Sequence, residues 1–212
     1  MISCICITKN KRELLDAAIR CFENQTYKDK ELVIMYESDN PNREYLTRLP
    51  YNVICVKAGK YTLGAQRNLA IQKASGDYIA QWDDDDLYRN NRLKKQIHLI
   101  HKTRKDGCVL TRQVLFCDGG YYLSHYRLFW ENSLLIKKSS MIPYFDLEYD
   151  EDRLPLGYLY ENKKLAQLDN PYLYIYRYHG DNTWPRTHFD GFIRKSKTKL
   201  ETPPRGIYDQ GI

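Results

Sequence analysis

The sequence predicts an α/β fold in one domain, with a mostly parallel central sheet flanked by helices and a mixed, antiparallel region after it. Three observations predict this. Apolar runs at Ile2–Thr8, Glu31–Tyr36, Tyr51–Lys57 and Asp77–Trp82 alternate with segments of helical spacing up to about residue 100, the order that gives parallel strands joined by right-handed crossovers. Beyond that point the alternation stops and shorter strand-like runs follow one another. No Pro-, Gly- or Ser-rich linker divides the 212 residues, of which 42% are hydrophobic, enough for one sizeable core.

Ile2–Thr8 is apolar and rich in β-branched residues, which predicts a strand covered on both faces. Leu14, Leu15, Ala18, Ile19 and Phe22 recur at three- and four-residue spacing and predict a helix closed by Asn24-Gln25-Thr26. The second strand ends at Glu37-Ser38-Asp39-Asn40 before Pro41, and the third gives way to the turn Ala58-Gly59-Lys60. Gly64 to Ala74 reads as a helix stopped by Ser75-Gly76, and the fourth strand runs into Asp83-Asp84-Asp85-Asp86. Leu93, Ile97 and Ile100 mark the inner stripe of a further helix whose outer face carries Lys94, Lys95, His98 and Lys102. Cys108–Phe116, Tyr121–Ser124, Ser133–Ile136 and Tyr172–Tyr178 predict the shorter strands, the last running into His179-Gly180-Asp181-Asn182-Thr183-Trp184.

Four successive carboxylates at a strand end repel one another, which costs stability unless a cation or a set of donors neutralises them. Mg²⁺ or Mn²⁺ suits such hard oxygen ligands and needs no full protein cage, because phosphates and waters complete the shell. The alternative reading is a solvated acidic turn. In open parallel sheets ligands bind at the carboxyl ends of the strands. Thr8-Lys9-Asn10, Glu37-Ser38-Asp39 and the aspartates all fall there, so Thr8, Asn10, Glu37, Asp39, Asp83 and Asp85 are expected along one composite site.

The net charge of +6 is unevenly placed. Eight Lys/Arg stand against one acid, Asp106, between Arg89 and Arg112, and the tail carries Arg194, Lys195, Lys197, Lys199 and Arg205. Such patches attract phosphates or an anionic leaflet, or serve only as a solvated face. No recognition-helix or zinc motif accompanies them, so nucleic acid is not an expected partner. The six cysteines form no CxxC pair, and four lie in apolar segments where a thiol acts as a small hydrophobe, which points to a reducing compartment. With no signal-peptide pattern at the amino end and no run of about 18 apolar residues, a cytoplasmic protein is expected.

Four motifs in order resemble the family 2 glycosyltransferases. They are Ile2-Ser3-Cys4-Ile5-Cys6-Ile7-Thr8-Lys9-Asn10-Lys11; Asn24-Gln25-Thr26-Tyr27 ahead of Glu31-Leu32-Val33-Ile34; Gly64-Ala65-Gln66-Arg67-Asn68; and Ser75-Gly76-Asp77-Tyr78-Ile79 leading to the aspartates. The resemblance covers roughly residues 2 to 100 and implies the GT-A fold of inverting nucleotide-diphospho-sugar transferases. It makes residues 1–100 the nucleotide-sugar-binding half and 101–212 the acceptor-binding half with a basic tail. It implies that Thr8 lies beside the nucleobase and ribose, that Asp83 holds the ribose, that Asp85 ligates the metal with Asp83 and that Arg67 adds positive charge near the donor. Glu37 takes the position of the acid that reads the base, but Tyr36-Glu37-Ser38-Asp39-Asn40 departs from the family's aspartates and Gly-Ser turn, so no base is implied.

On the acceptor side the resemblance makes Asp152 of Asp150-Glu151-Asp152 the general base, with Glu151 the next candidate; the alternative is a solvated acidic loop. His179 resembles the start of the loop that closes over the diphosphate and is a candidate metal ligand as neutral imidazole; the alternative is a hydrogen-bonded turn residue. Trp130 and Trp184 either stack on a sugar ring or pack the protein. The implied partners are a nucleotide-diphosphate sugar and a saccharide or lipid-linked acceptor, with peripheral contact to an anionic inner leaflet set against lysines that only keep the protein soluble. Surface polysaccharide synthesis is the implied setting. A non-catalytic nucleotide-sugar or glycan-binding module on the same fold is the competing reading.

Overall fold

The structure is a computed structural model that describes residues 1–9, 11–125, 128–196, 198–202 and 204. The larger of two sheets has seven strands. Four are parallel and contiguous: β1 (Ile2–Thr8), β2 (Lys30–Glu37), β3 (Asn52–Val56) and β4 (Tyr78–Gln81) lie in the order β3-β2-β1-β4. β1 is buried along its whole length. Cys4 and Cys6 face a core shared with α1 (Arg12–Glu23) and α4 (Arg92–Thr103), whereas Ile5 and Ile7 face one shared with α3 (Leu63–Lys73). That two-sided cover is why the strand reads as continuous apolar sequence without alternation.

The family-like motifs acquire physical roles in the frame. Gln25 is fully buried; its amide donates to the Cys21 and Arg89 carbonyls and accepts from Leu93 N, tying the end of α1 to the start of α4. Gly76 lets the chain pass Ser3, since a Cβ there would lie 2.6 Å from Ser3 Oγ. A short helix, α2 (Arg43–Leu46), fills the β2–β3 crossover.

After β4 the chain crosses between sheets. Trp82 is buried against α1, its indole donating to the Ala18 carbonyl at 3.1 Å. The four aspartates follow, and the two-residue strand β5 (Leu87–Tyr88) then belongs to the second sheet. Arg92, wholly buried among the rings of Trp82, Tyr88 and Tyr174, donates to the Gln81 carbonyl at 3.0 Å and braces this crossing from behind.

The second half departs from the sequence reading in several places. The single strand expected over Cys108–Phe116 is two: β6 (Gly107–Leu110) in the large sheet and β7 (Val114–Cys117) in the small one. The buried polar residues Thr111 and Gln113 mark the change. β8 (Gly120–Leu123) forms a hairpin with β7, and β9 (Trp130–Lys137), longer than expected, runs antiparallel between β4 and β6. Four elements were not expected: α5 (Arg153–Glu161), β10 (Leu165–Leu168), α6 (Arg186–Lys195) and β12 (Thr198–Leu200). β11 (Tyr174–Arg177) is shorter than the predicted strand because Pro171–Leu173 forms a 3₁₀ turn. The sheets order as β10-β6-β9-β4-β1-β2-β3 and β12-β8-β7-β11-β5. All six cysteines are free thiols, and among the described residues no helix is long and apolar enough to cross a membrane.

Candidate active site

The carboxyl ends of β1 and β4 open onto a cleft of about 660 Å³ that the loop after β11, the start of β9 and the start of α5 close from the other side. The four aspartates divide between cleft and interior. Asp83 accepts from Arg67 Nη2 at 2.9 Å. Asp85 Oδ2 meets His179 Nε2 at 3.0 Å and accepts from Asn182 Nδ2 at 3.3 Å. Asp86 is fully buried, accepting from the Tyr174 hydroxyl at 2.7 Å and from Arg177 N at 2.8 Å. Asp84 is held by the Thr8 hydroxyl and Lys9 N; burial first, then the charge of Asp85, pushes it up to about 7. Burial, with the neighbouring charges of Asp85 and Asp83, raises Asp86 far above the ordinary carboxyl range. The two interior carboxyls are thus driven toward their protonated forms, which, with the donors to Asp83 and Asp85, relieves part of the repulsion that the bare sequence assigns to a cation.

Arg67 links the two sides of the cleft. Its side chain is 7% exposed, and besides Asp83 its Nε lies 3.1 Å from Glu151 Oε1. Gln81, with its amide oxygen turned toward Arg67, accepts from Nη1 at 3.0 Å. Burial pushes Glu151 up to about 7 against the opposing pull of Arg67, and burial likewise raises the neighbouring Asp152, which immediately precedes α5. A carboxylate raised toward neutrality suits proton abstraction near pH 7. The loop bearing this pair is docked on the start of α3: Thr62 donates to Asp146 at 2.5 Å and Gly64 N to the Leu147 carbonyl at 3.0 Å. A Cβ on Gly64 would stand 1.8 Å from the Phe145 carbonyl oxygen.

Asp83, Asp85, Arg67, His179, Glu151 and Asp152 all line the one cleft. Thr8 stands at its edge, 4% exposed and turned to Asp84. Glu37 lines an adjoining cavity of about 270 Å³ with Lys9, Lys60 and Gln66, and accepts from Gly59 N at 3.2 Å. Asp39 is exposed in the turn after β2 and lines neither cavity. Asn10 lies outside the described residues. Sequence reasoning passed over three participants: Gln81, Asn182 and Lys11, whose ammonium lies 2.6 Å from Asp181 and 3.3 Å from His179 Nδ1. Lys11 and Asn182 sit inside motifs already noted, and only folding shows which way they turn.

Among the described residues no group of three or more His, Cys, Asp or Glu side chains is placed to hold a metal ion. Asp85 and His179 face each other on the cleft wall, two donors that would suit an ion completing its shell with phosphate oxygens and water.

Residues 3–152 match the family model described as glycosyl transferase family 2. The chain belongs to that family. WfaP of Escherichia coli, a UDP-Glc:alpha-D-GlcNAc-diphosphoundecaprenol beta-1,3-glucosyltransferase, is 28% identical over 127 residues, covering 58% of this chain and 47% of WfaP. The chain spans about half the length of the curated relatives it matches. In three dimensions this family 2 chain is similar to S. aureus TarS in complex with UDP-GlcNAc, at a TM-score of 0.72 and 16% identity over 86% of this chain and 60% of that one. The mannosyltransferase PcManGT from Pyrobaculum calidifontis, in complex with GDP-Man and Mn²⁺, gives 0.63 at 13% identity over 97% and 66%. These likenesses show that the family 2 chain has the GT-A fold.

Proposed function

We propose that the protein is a metal-dependent inverting glycosyltransferase that moves a sugar from a nucleoside-diphosphate donor to a saccharide or lipid-linked acceptor. The observation that carries this reading is Arg67, a single buried cation in contact with Asp83 on the donor side and Glu151 on the acceptor side. A binding module has no need of an acid pair joined to its nucleotide site; a transferase must bring both substrates to one point.

The nucleoside lies toward the ends of β1 and β2, with Thr8 and Glu37 beside it, and the ribose against Asp83. The diphosphate lies toward Asp85, His179 and Lys11. Mg²⁺ or Mn²⁺ held by Asp85, with Asp83 and His179, would neutralise charge on the departing nucleoside diphosphate. Asp152 takes the proton from the acceptor hydroxyl as that oxygen bonds to the anomeric carbon. The bond from this carbon to the diphosphate breaks on the opposite face, which inverts the configuration. Arg67 pairs with Asp83 and fixes Glu151 beside the base. The Mn²⁺ bound with GDP-Man in PcManGT and the diphosphoundecaprenol acceptor in the name of WfaP support the metal and the lipid-linked acceptor.

Lys94, Lys95 and Lys102 are exposed along α4, and Arg194, Lys195 and Lys199 near the other end of the chain are exposed too. They support peripheral contact with an anionic inner leaflet, at about 1 kcal/mol per residue near the surface; Lys197 and Arg205 lie outside the described residues. Equal and negligible sedimentation with anionic and neutral liposomes at low salt removes that contact. The function itself is tested with UDP-, GDP-, CDP- and dTDP-sugars, Mn²⁺ and saccharide or polyprenyl-diphosphate-linked acceptors. Acceptor-stimulated release of nucleoside diphosphate is the expected result; nucleotide binding without turnover on any pair assigns a binding module instead.

A further inference from the structure

One wall of the cleft is a run of aromatic rings that ends in an acid. Trp184 and His188 stack with centroids 4.7 Å apart and planes inclined by 14°. Phe192, one turn further along α6, meets His188 edge-on at 4.9 Å, and Trp130 lies 4.9 Å from Phe192. All four line the cleft, and Trp184 and His188 keep part of their surface exposed. Burial holds His188 below its ordinary value, so the stacked pair is uncharged at neutral pH.

Glu131 and Asn132 follow Trp130 on β9 and line the same cleft. Asn132 Oδ1 accepts from Gln113 Nε2 at 2.9 Å, which fixes the amide and leaves its own N–H₂ to donate. Among the described residues no side chain hydrogen-bonds or ion-pairs with the Glu131 carboxylate, and the charges it feels are Asp152, Arg153 and Asp150. Arg153 is already paired with Asp150 at 2.8 Å. Among the described residues this side of the cleft therefore offers one carboxyl without a side-chain partner, Glu131, and no unpaired cation beside it. Flat apolar rings next to a carboxylate and an amide match a pyranose, which has a C–H face for stacking and an equatorial rim of hydroxyls for hydrogen bonds. A ring bearing a carboxylate or phosphate would bring like charge to Glu131 and Asp152.

Resting on the transferase reading above, we propose that this wall is the acceptor subsite: Trp184 and His188 form the platform for one pyranose ring, Glu131 and Asn132 bind its hydroxyls, and the subsite selects an uncharged sugar over an anionic one. Trp184 and Glu131 are thus specificity-determining residues of the transfer.

Saturation-transfer NMR tests it with the methyl glycosides of glucose, galactose and N-acetylglucosamine against methyl glucuronide, with and without UDP or GDP and Mn²⁺, at pH 8. At least one neutral glycoside is expected to bind ~10-fold or more tighter than the glucuronide. Trp184→Ala and Glu131→Gln should each weaken it by about the same factor, Trp184→Phe should restore much of the loss, and Glu131→Gln should narrow the preference for the neutral sugar. Equal binding of neutral and anionic glycosides, wild-type binding in both variants, or no glycoside binding in the presence of bound nucleotide overturns the proposal. Failure of every nucleotide to bind by calorimetry overturns the transferase reading instead, while glycoside binding without nucleotide still decides the subsite.

Discussion

His179 Nε2 stands 3.0 Å from Asp85 Oδ2, and this contact joins the loop after β11 in the small sheet to the segment after β4 in the large one. Lys11, from the start of α1, closes the group by approaching both His179 and Asp181. Asp85→Asn leaves these elements in place and removes the charge. Turnover should fall by roughly 10² or more while far-ultraviolet circular dichroism and the unfolding midpoint stay near wild type. Full activity in this variant removes the metal assignment.

Asp152→Asn should lower kcat by about 10²–10⁴, with donor affinity within a few-fold of wild type, as for a positioned general base. Steady-state kinetics with donor and acceptor varied separately check this. A loss of that size in Glu151→Gln but not in Asp152→Asn moves the base by one residue.

Arg67→Ala leaves Asp83 and a largely buried Glu151 without their shared cation. Breaking such a pair by removing one partner costs about 3–5 kcal/mol, and urea unfolding at pH 7 reads it directly. A change below about 1 kcal/mol, the range of exposed pairs, shows that the cluster is solvated.

Gly64→Ala should displace the loop that carries Glu151 and Asp152, because the new methyl would overlap the Phe145 carbonyl. The expected result is a loss of about 1–3 kcal/mol, the usual range for overpacking, with a larger proportional loss of turnover than of nucleotide affinity. Wild-type kinetics would show that the loop docks elsewhere.

Burial pushes Glu131 up to about 7 from 4.5, so the folded state holds a proton that the unfolded chain releases. Its contribution is complete below pH 4.5 and is lost as pH rises through 7. Glu131→Gln should flatten the fall in stability between pH 5 and 8, gaining on wild type by on the order of 1–2 kcal/mol at the upper end. Parallel denaturation curves for the two proteins at both pH values would show a solvated carboxylate.

The first half of the fold was legible because its cues are local. A strand covered on both faces is apolar throughout, as at Ile2–Thr8, and α1 carries one clear stripe. The second half hides its breaks. Cys108–Phe116 looks like one strand, since Thr111 and Gln113 are buried where the chain changes sheets. In α5, Pro155 and Gly157 disguise a helix that a proline in the first turn does not prevent. α6 was masked by its own basic end, Arg194 and Lys195, read as part of a tail. In the site, the four identical aspartates could not be told apart by their own chemistry, and only the family resemblance singled out Asp83 and Asp85; that Asp86 is interior emerges from the fold. Glu131 lacked any motif, and the charges around it, Asp150, Asp152 and Arg153, gather at the start of α5, an element the sequence did not disclose.

The aspartates are four of the five residues, Trp82 to Asp86, that separate β4 of one sheet from β5 of the other. Their backbone is therefore anchored at both ends in different layers, and the spread of the carboxylates gauges how those layers are aligned. A ligand that draws Asp83 and Asp85 together favours the alignment that brings them close, and stabilising that alignment raises affinity for the ligand by the same factor. Substitutions deep in the seam, at Trp82 or Tyr88, should thus retune nucleotide binding from behind without touching the nucleotide.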